Sequence, residues 1–355
     1  MRPNFARNLI VYHEKGRYGG WPANSGIWSW GDEILVGFTR GYHKEKIGHT
    51  IDPDRPREGI FARSLDGGEN WSVEYGNRIR LPQPDPDSSS STEDAGEVSG
   101  LTEPMDFSHP DFALTARLID NHVGPSYIFH SRDRGRNWEG PFRLPEMGTK
   151  GIAARTDYLI DGRRSLHMFL TAAKSDGYEG RPFCARTTDG GVTWEKLSWI
   201  GPEPPGYSIM PSSVRLSPKV IVVVVRRKEN SEWGRVGWLT SYISKDNGHS
   251  WSFLGNPTEY MGTNPPALIK LEDGRLCLNY GVRVEPYRIC ARLSSDQGKS
   301  WGDEIVLRDD GASGDLGYCR SVQRPDGKVV TIYYYNDPVT GPERYIGATI
   351  WNPGG

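Results

Sequence analysis

Short runs of alternating or β-branched apolar residues, separated by turn residues, dominate the sequence. Between residues 265 and 308 four such runs follow one another: PPALIKL, RLCLNYGVR, YRICARLS and EIVLR, with the turn residues EDG after the first. The preceding unit repeats the order with SSVRLS, KVIVVVVRR and VGWLTSYIS. Runs of this length, bounded by Gly, Pro and Asp, predict β-strands joined by tight turns. No segment has the periodicity of a long amphipathic helix, so the pattern predicts an all-β protein of repeated four-stranded units.

An eight-residue motif recurs five times, with Ser or Thr first, Asp third, Gly fifth and Trp last. The copies lie at residues 64–71, 131–138, 187–194, 244–251 and 294–301, and their Trp residues are 67, 56, 57 and 50 positions apart. Self-similarity at such a period indicates a radial array or a solenoid, and four short strands per repeat are typical of a propeller blade.

The motif itself predicts a turn that holds blades together. We expect its Asp to accept hydrogen bonds from backbone N–H groups of its own turn, and its Gly to supply a positive φ. The Trp is a large apolar anchor between neighbouring blades. Because five equivalent copies cannot all be active sites, a structural role is predicted for Asp66, Asp133, Asp189, Asp246 and Asp296.

The two ends of the chain predict how the array closes. The last unit, from residue 318 onward, supplies only three strands, and the run NLIVYH near the N-terminus belongs to no unit. Adding this run to the last unit hides both free sheet edges. The sequence therefore predicts a six-bladed β-propeller of four-stranded antiparallel blades, closed by an N-terminal strand. Residues 1–355 are expected to form one domain, with the polar, turn-rich segment 83–100 as a long loop within it.

Composition narrows the range of partners. The 43 Lys and Arg against 45 Asp and Glu, with a net charge of −2, provide no bulk basic field for nucleic acid. The four cysteines form no CxxC pair, so we predict no metal and no cofactor. The apolar run LIVY is too short for a signal-peptide core or a membrane span, and we expect no membrane partner. A cytoplasmic protein and a secreted one whose signal was removed both stay open, as does the oligomeric state.

The repeated motif is the Asp-box, and the chain resembles sialidases and other BNR-repeat proteins over nearly its whole length. In that superfamily the Asp-boxes lie on the rim opposite the catalytic face. Substrate binds in the central depression, where first strands begin and second strands end. Counting from each Asp-box places a set of candidate residues on this face: Arg40, His43, His49, Asp52, Arg155, Asp157, Arg226, Arg227, Arg283, Arg288, Tyr318 and Arg320.

Several of these positions match sialidase residues. The phrase DLGYCRSVQRPDGKVVTIYY is similar to the opening of the final sialidase blade and puts Tyr318 in the nucleophile position. Arg226 or Arg227, together with Arg288, resembles the arginines that bind the substrate carboxylate. Asp52 is the nearest match to the acid/base Asp in the first blade's loop.

Two features depart from the sialidase pattern. The opening Arg-Ile-Pro is replaced by Gly20-Trp21-Pro22, and Trp21 offers an apolar face to a sugar ring instead of a guanidinium. The Glu that activates the Tyr is absent from the opening of blade four, which reads SIMPSS. Tyr318 therefore lacks its obvious general base.

Three functions remain open, all with a carbohydrate partner. The first is a glycoside hydrolase that removes an acidic sugar from a non-reducing end, with Tyr318 as nucleophile or stabiliser and Asp52 or a loop His as acid/base. The second is a polysaccharide lyase on uronic-acid glycans that uses Arg, Tyr and one of His43, His49 and His109. The third is a carbohydrate-binding propeller without catalysis.

Overall fold

A computed structural model describes residues 1–82, 98–232, 234–259, 262 and 264–354. Most of the segment predicted as a long loop, 83–100, therefore lies outside the described residues. No helix in the described part of the chain is long and apolar enough to cross a membrane.

Six antiparallel sheets follow one another along the chain and form the six blades of a β-propeller, as predicted. The first strand is β1 (Ala6–Tyr12). Blade one contains β2 (Arg17–Gly20), the one-turn helix α1 (Pro22–Ser25), β3 (Ile27–Trp30), β4 (Glu33–Tyr42), β5 (Glu58–Ser64) and β6 (Ser72–Ile79). Blade two contains β7 (Ala113–Leu118), β8 (Ser126–Ser131) and β9 (Glu139–Arg143). Blade three contains β10 (Ile152–Ala153), β11 (Tyr158–Gly162), β12 (Ser165–Ala173), β13 (Glu179–Thr187) and β14 (Glu195–Trp199).

The remaining three blades are built from four strands each. Blade four contains β15 (Tyr207–Ser217), β16 (Val220–Ser231), β17 (Gly234–Ser244) and β18 (Ser252–Gly255). Blade five contains β19 (Ala267–Lys270), β20 (Leu276–Val282), β21 (Arg288–Ser294) and β22 (Ile305–Arg308). Blade six contains β23 (Gly317–Gln323), β24 (Val329–Asp337) and β25 (Gly341–Trp351), and β1 is its fourth strand.

The N-terminal strand closes the ring, which confirms the sequence prediction. β1 pairs antiparallel with β25, from Ala6 opposite Trp351 to Tyr12 opposite Ile346. This pairing covers the outer edge of the last blade, and an uncovered edge would offer unpaired backbone groups to other chains.

Blade two differs from the prediction, because its described residues form three strands rather than four. The segment before β7 bonds to blade three instead of adding a strand to blade two. The Met105 N–H donates to the Gly190 carbonyl at 2.9 Å, and the Phe107 N–H donates to the Arg163 carbonyl at 2.8 Å. Both side chains are buried in the core between blades two and three.

The Asp-boxes form the predicted turns between the third and fourth strands. In the first box, Asp66 Oδ1 accepts hydrogen bonds from the Ser64 hydroxyl at 2.8 Å and from the Asn70 N–H at 2.9 Å. The Trp71 indole N–H donates to the Gly68 carbonyl at 2.8 Å. A Cβ at Gly68 would approach Val330 of β24 to 3.2 Å, so this box packs against the preceding blade. The boxes are therefore inter-blade contacts, as their repetition indicated.

Innermost strands are interrupted in four blades, and these interruptions shape the centre of the propeller. β2 and β3 both pair with β4 on either side of α1, and β10 and β11 both pair with β12. In blade four the register shifts between Ile209 and Ser212, and in blade six it shifts between Gly317 and Arg320. A bulge or break of this kind re-aims side chains near functional sites.

Candidate functional site

A central depression with a volume of about 1970 Å³ opens on the face opposite the Asp-boxes. Thirteen Lys or Arg residues but only four Asp or Glu line its described wall. A concave surface with such an excess of one sign concentrates the field and attracts anions, although the chain as a whole has a net charge of −2. The depression is suited to an anionic ligand.

Two aromatic residues enter the depression from strained backbone positions. Trp21, just before α1, has φ 57°, and Tyr318, at the bulge of β23, has φ 53°. A bulky residue in this left-handed region is uncommon and carries a conformational cost that the surrounding packing must outweigh. Gly317, with φ 103°, allows the turn that places Tyr318.

His49, in the loop after β4, is held by Asp315, in the loop before β23. His49 Nδ1 lies 2.7 Å from Asp315 Oδ1, and the side chain of His49 is 36% exposed while that of Asp315 is 5% exposed. The short contact to a carboxylate favours a proton on Nδ1, which donates to Asp315. The Trp21 indole nitrogen is farther from Nδ1, at 3.4 Å. Nε2 of His49 is left to give or accept a proton.

Asp315 is itself fixed by three further groups. Its Oδ1 accepts a hydrogen bond from the Tyr334 hydroxyl at 2.8 Å, and its Oδ2 accepts one from the Thr50 N–H at 3.0 Å. Arg344 Nε lies 3.2 Å from Oδ2. Burial alone would raise the pKa of Asp315, but the hydrogen bond from His49, its charge and the other donors lower that pKa to about 2. Asp315 is therefore a fixed anion behind the imidazole.

Tyr318 faces this dyad together with Arg283. The ring centroids of His49 and Tyr318 are 6.2 Å apart, at an interplanar angle of 81°. Arg283 Cζ lies 5.5 Å from the Tyr318 ring centroid, and the guanidinium hydrogen-bonds the Leu316 carbonyl at 3.1 Å and the Tyr334 hydroxyl. No carboxylate in the described part of the chain hydrogen-bonds the Tyr318 hydroxyl, in agreement with the missing sialidase Glu.

Arg226, in the middle of β16, differs from the other arginines that line the depression near it. The residue is 6% exposed, and none of the described residues accepts a hydrogen bond from its guanidinium or forms an ion pair with it. Its Cζ lies 5.8 Å from the Tyr207 ring centroid. By contrast, Arg40 is paired with Glu14 and Glu58. Arg155 is paired with Glu179 and donates to Asn24 Oδ1 at 3.2 Å.

Several of the candidate residues do not line the depression. Asp52 is bonded to Lys44 Nζ at 3.2 Å and to the Asp54 N–H at 3.1 Å. His43 Nε2 lies 3.5 Å from Glu45. Arg227 pairs with Glu229 and stacks on Trp238, and Arg288 donates to Glu304 at 2.9 Å. His109 accepts a hydrogen bond from the Asp111 N–H at 3.2 Å, and Arg134 N donates to the Asp111 carbonyl, so His109 lies on the Asp-box side.

Arg320 and Asp157 form a buried layer under the depression. Arg320 donates to the backbone carbonyls of Ala23 and Thr156, and its NH1 lies 3.9 Å from Asp157 Oδ1. Asp157 also accepts a hydrogen bond from the Ser213 N–H at 3.3 Å. Burial raises the pKa of Asp157 to about 6, despite the opposing effect of Arg320. This layer ties the interrupted first strands of blades one, three, four and six together.

Sequence reasoning missed Asp315, Tyr334, Arg344 and Arg117. Asp315 stands three residues before Tyr318 in DLGYCR, so its nearness to the candidate Tyr was a usable signal. Tyr334 and Arg344 appear in the sequence as ordinary strand residues of the last blade. Arg117 is the second-last residue of β7, the second strand of blade two, and only the strand order identifies its position on the depression.

Comparison with known proteins supports the architecture. The family model described as BNR repeat-like domain matches residues 120–331, more than half of the chain, and the protein belongs to this family. A search of curated proteins gave no significant match.

Solved structures show the same fold at low sequence identity. A Dyadobacter fermentans protein of unknown function is 20% identical with a TM-score of 0.73, covering 98% of this chain and 99% of that one. The NanB sialidase of Streptococcus pneumoniae is 13% identical with a TM-score of 0.61, covering 97% and 70%. A Trypanosoma rangeli sialidase in complex with sialic acid is 12% identical with a TM-score of 0.54, covering 99% of this chain and 57% of that one. These likenesses establish a sialidase-like BNR propeller fold and nothing finer.

Proposed function

We propose that the protein is a carbohydrate-active enzyme that cleaves a glycan at an acidic sugar, and that the reaction is a β-elimination on a uronate. The observation that supports this reaction most strongly is the pair formed by His49 and Tyr318. Their ring centroids are 6.2 Å apart, Asp315 holds the imidazole from behind, and Arg283 lies beside the phenol. Two acid/base groups and a cation at one point are what a lyase requires.

In the proposed reaction the carboxylate of the uronate binds to Arg226 and Arg283. Arg226 is buried without a carboxylate partner among the described residues, so a substrate carboxylate would supply the missing one. Charge that builds on the carboxylate, as the adjacent C–H bond breaks, is stabilised by both guanidinium groups.

His49 Nε2 takes the C5 proton, the electron pair forms the C4–C5 double bond, and the C4–O bond breaks. Tyr318 gives its proton to the departing oxygen, which leaves as a hydroxyl group on the other sugar. Water then restores the Tyr318 proton, and His49 releases the one it took. The products are an unsaturated uronate and a shortened glycan, and Asp315 holds the imidazole in the required tautomer throughout.

The pairing of the carboxylates in the depression favours elimination over hydrolysis. A glycosidase with two carboxylates needs one as acid and the other as base or nucleophile. The four acidic residues that line the described depression are all engaged: Glu58 with Arg40, Asp176 with Lys174, Glu179 with Arg155, and Glu229 with Arg227. None is free to serve in hydrolysis.

Hydrolysis of an acidic sugar at a non-reducing end is the second candidate, and one observation favours it. Tyr318 stands at the start of the last blade and points into the depression, as the resemblance to sialidases implies for a nucleophile. In that reaction His49 would serve as the acid/base, because Asp52 lies outside the depression.

Product analysis separates these reactions. The protein is incubated with uronate-containing glycans, and the ultraviolet absorbance of a conjugated double bond is followed alongside the release of reducing sugar. An absorbing product supports elimination, and a saturated monosaccharide supports hydrolysis. Binding by calorimetry without any product would support the non-catalytic carbohydrate-binding propeller and contradict the enzyme.

A further inference from the structure

A second basic site lies on the wall of the depression formed by blades one and two. Its centre is Arg117, at the end of β7, which is 9% exposed. Its NH1 donates to the Ser25 carbonyl at 3.3 Å, to the Ala116 carbonyl at 3.0 Å and to the Thr115 hydroxyl. All these acceptors are neutral, and NH2 is buried without any acceptor. No carboxylate of the described chain neutralises this guanidinium.

A buried cation without an anionic partner is costly, and burial lowers the pKa of Arg117 to about 9. Arg117 is nevertheless part of the wall of the depression rather than the interior of a blade. Like Arg226, Arg117 has no carboxylate partner among the described residues, whereas Arg40 and Arg155 are paired with glutamates. An anion bound from solution next to Arg117 would offset the free-energy cost of burying this unpaired cation.

Gly59, on β5 of blade one, lies directly beside the guanidinium of Arg117. A Cβ at residue 59 would lie 3.7 Å from Arg117 Nε and 3.9 Å from NH2, which is ordinary contact distance. A side chain at residue 59 would therefore lie against the guanidinium on this side.

Arg57 and Arg80 extend the basic wall beside Arg117. Both are exposed and line the depression, and neither forms an ion pair with another described residue. The neighbouring Glu58 is already shared by Arg40 and Arg78, at 2.5 Å and 3.0 Å. Among the described residues, no carboxylate forms an ion pair with Arg57, Arg80 or Arg117, and this part of the wall is positive.

The position of this wall separates it from the proposed reaction centre. Arg283 belongs to blade five, and blade two lies opposite blade five in a six-bladed ring. The depression, at about 1970 Å³, exceeds the range of about 300–1,000 Å³ usual for pockets that take one small ligand. One sugar unit does not fill it.

We infer that Arg117, with Arg57 and Arg80, forms a second anion-binding subsite that takes an anionic group on another sugar of the same glycan. The inference rests on the proposed function in that one acidic sugar occupies the Arg226–Arg283 side. The substrate class is then a polyanionic glycan. A sulfate ester and a second uronate carboxylate share the required chemistry, and the test distinguishes them.

The test is calorimetry with uronate disaccharides whose second sugar is neutral, sulfated or another uronate. We expect wild-type protein to bind one or both dianionic forms at least about tenfold more tightly than the neutral-neighbour form, as expected for a charge-assisted contact. Whichever disaccharide binds more tightly, the sulfated one or the one with two uronates, identifies the anionic group that the subsite takes. The gain should shrink as salt is raised, because salt screens charges.

Three variants address Arg117. Gly59→Val leaves every arginine in place and puts a larger side chain against Arg117. R57Q/R80Q removes two exposed positive charges and leaves the buried Arg117 unchanged. Arg117→Met removes the buried cation itself. Each should lower affinity for the dianionic ligand and leave affinity for the monoanionic ligand within about twofold. Arg163→Gln is the matched control, because Arg163 is exposed in the turn between β11 and β12 on the Asp-box rim.

Equal affinity of wild-type protein for mono- and dianionic disaccharides would overturn the subsite. An equal loss of affinity for the monoanionic and the dianionic ligand in the variants would overturn it as well. These outcomes are independent of whether unsaturated product forms. A charge-dependent gain without elimination would contradict the proposed reaction and leave the subsite standing.

Discussion

His49 and Asp315 are separated by 266 residues, yet Nδ1 of one lies 2.7 Å from Oδ1 of the other. The contact joins the loop after β4 in blade one to the loop before β23 in blade six. These two blades meet where β1 closes the ring. The fold therefore brings the dyad together at its closure point, and correct closure is a condition for the site.

Asp315→Asn tests whether the carboxylate orients the imidazole of His49 and fixes its tautomer. The change keeps the size of the side chain but removes the negative charge and can reverse the tautomer of His49. We expect kcat to fall by about 10²-fold or more, as for loss of general acid/base catalysis, with KM changing little. Asp52→Asn is the control and should keep full activity, since Asp52 does not line the depression. Equal rates for the Asp315 variant and wild type would remove the dyad from the mechanism.

Arg226→Met tests the carboxylate-binding role. Losing a charge-assisted contact should weaken binding of an acidic glycan by about 10–100-fold. Because the variant also removes a buried cation without a described carboxylate partner, we expect its free energy of unfolding to rise by about 1 kcal/mol. Arg288→Met is the matched control: Arg288 donates to Glu304 outside the depression, so stability should fall and binding should persist. Loss of binding in Arg288→Met, with binding retained in Arg226→Met, would contradict the carboxylate-binding role of Arg226 and assign it to Arg288.

Asp157 gives the stability of the protein a definite pH dependence. Its pKa is raised by burial from 3.8 to about 6, so the folded state favours the protonated form. The resulting stabilisation is complete below the unfolded pKa and is lost as pH rises through about 6. Between about pH 4 and pH 7, the stability of wild type should fall relative to Asp157→Asn by on the order of 3 kcal/mol.

Chemical denaturation across this pH range measures the difference. Asp273→Asn serves as the control, because Arg275 lowers the pKa of Asp273 by hydrogen bonding. The contribution of Asp273 to stability therefore has the opposite pH dependence to that of Asp157 and is lost as pH falls. Parallel stability curves for wild type and the Asp157 variant would show that Asp157 does not titrate in this range.

Asp246→Ala tests the structural role of the Asp-boxes. Asp246 accepts hydrogen bonds from the Ser244 hydroxyl at 2.8 Å and the Ser250 N–H at 2.9 Å. Their loss should lower the free energy of unfolding by about 1–2 kcal/mol, as for loss of a capping side chain. Lys245→Ala, at the exposed neighbouring position, should have little effect. Activity per folded molecule should stay unchanged, and selective loss of activity without loss of stability would point to a functional Asp-box.

The sequence predicted the fold more completely than the site. Five Asp-boxes at regular spacing defined the blades, and the unattached run NLIVYH defined the closure, because both depend on local pattern. The described residues of blade two do not form the expected fourth strand, since Met105 and Phe107 bond to the backbone of blade three. Contacts between blades are not encoded in local periodicity.

The candidate residues separated into those that line the depression and those that do not, and pairing with carboxylates further divides the arginines that line it. Trp21, His49, Arg226, Arg283 and Tyr318 line the depression as expected. Arg227 and Arg288 instead meet Glu229 and Glu304, and Arg40 and Arg155 line it while paired with glutamates. Whether an Arg has a carboxylate partner depends on distant chain segments and cannot be read from its position in a strand.

The most direct measurement is the ultraviolet spectrum of the products that wild-type protein and the variants Tyr318→Phe and His49→Ala form from a uronate glycan. The proposed reaction predicts a growing absorbance of the unsaturated uronate with wild type and its loss, by about 10²-fold or more, in both variants. Calorimetry should show that both variants still bind the glycan. Release of saturated sugar without this absorbance, or full activity in both variants, would contradict the assignment of His49 and Tyr318 as the eliminating pair.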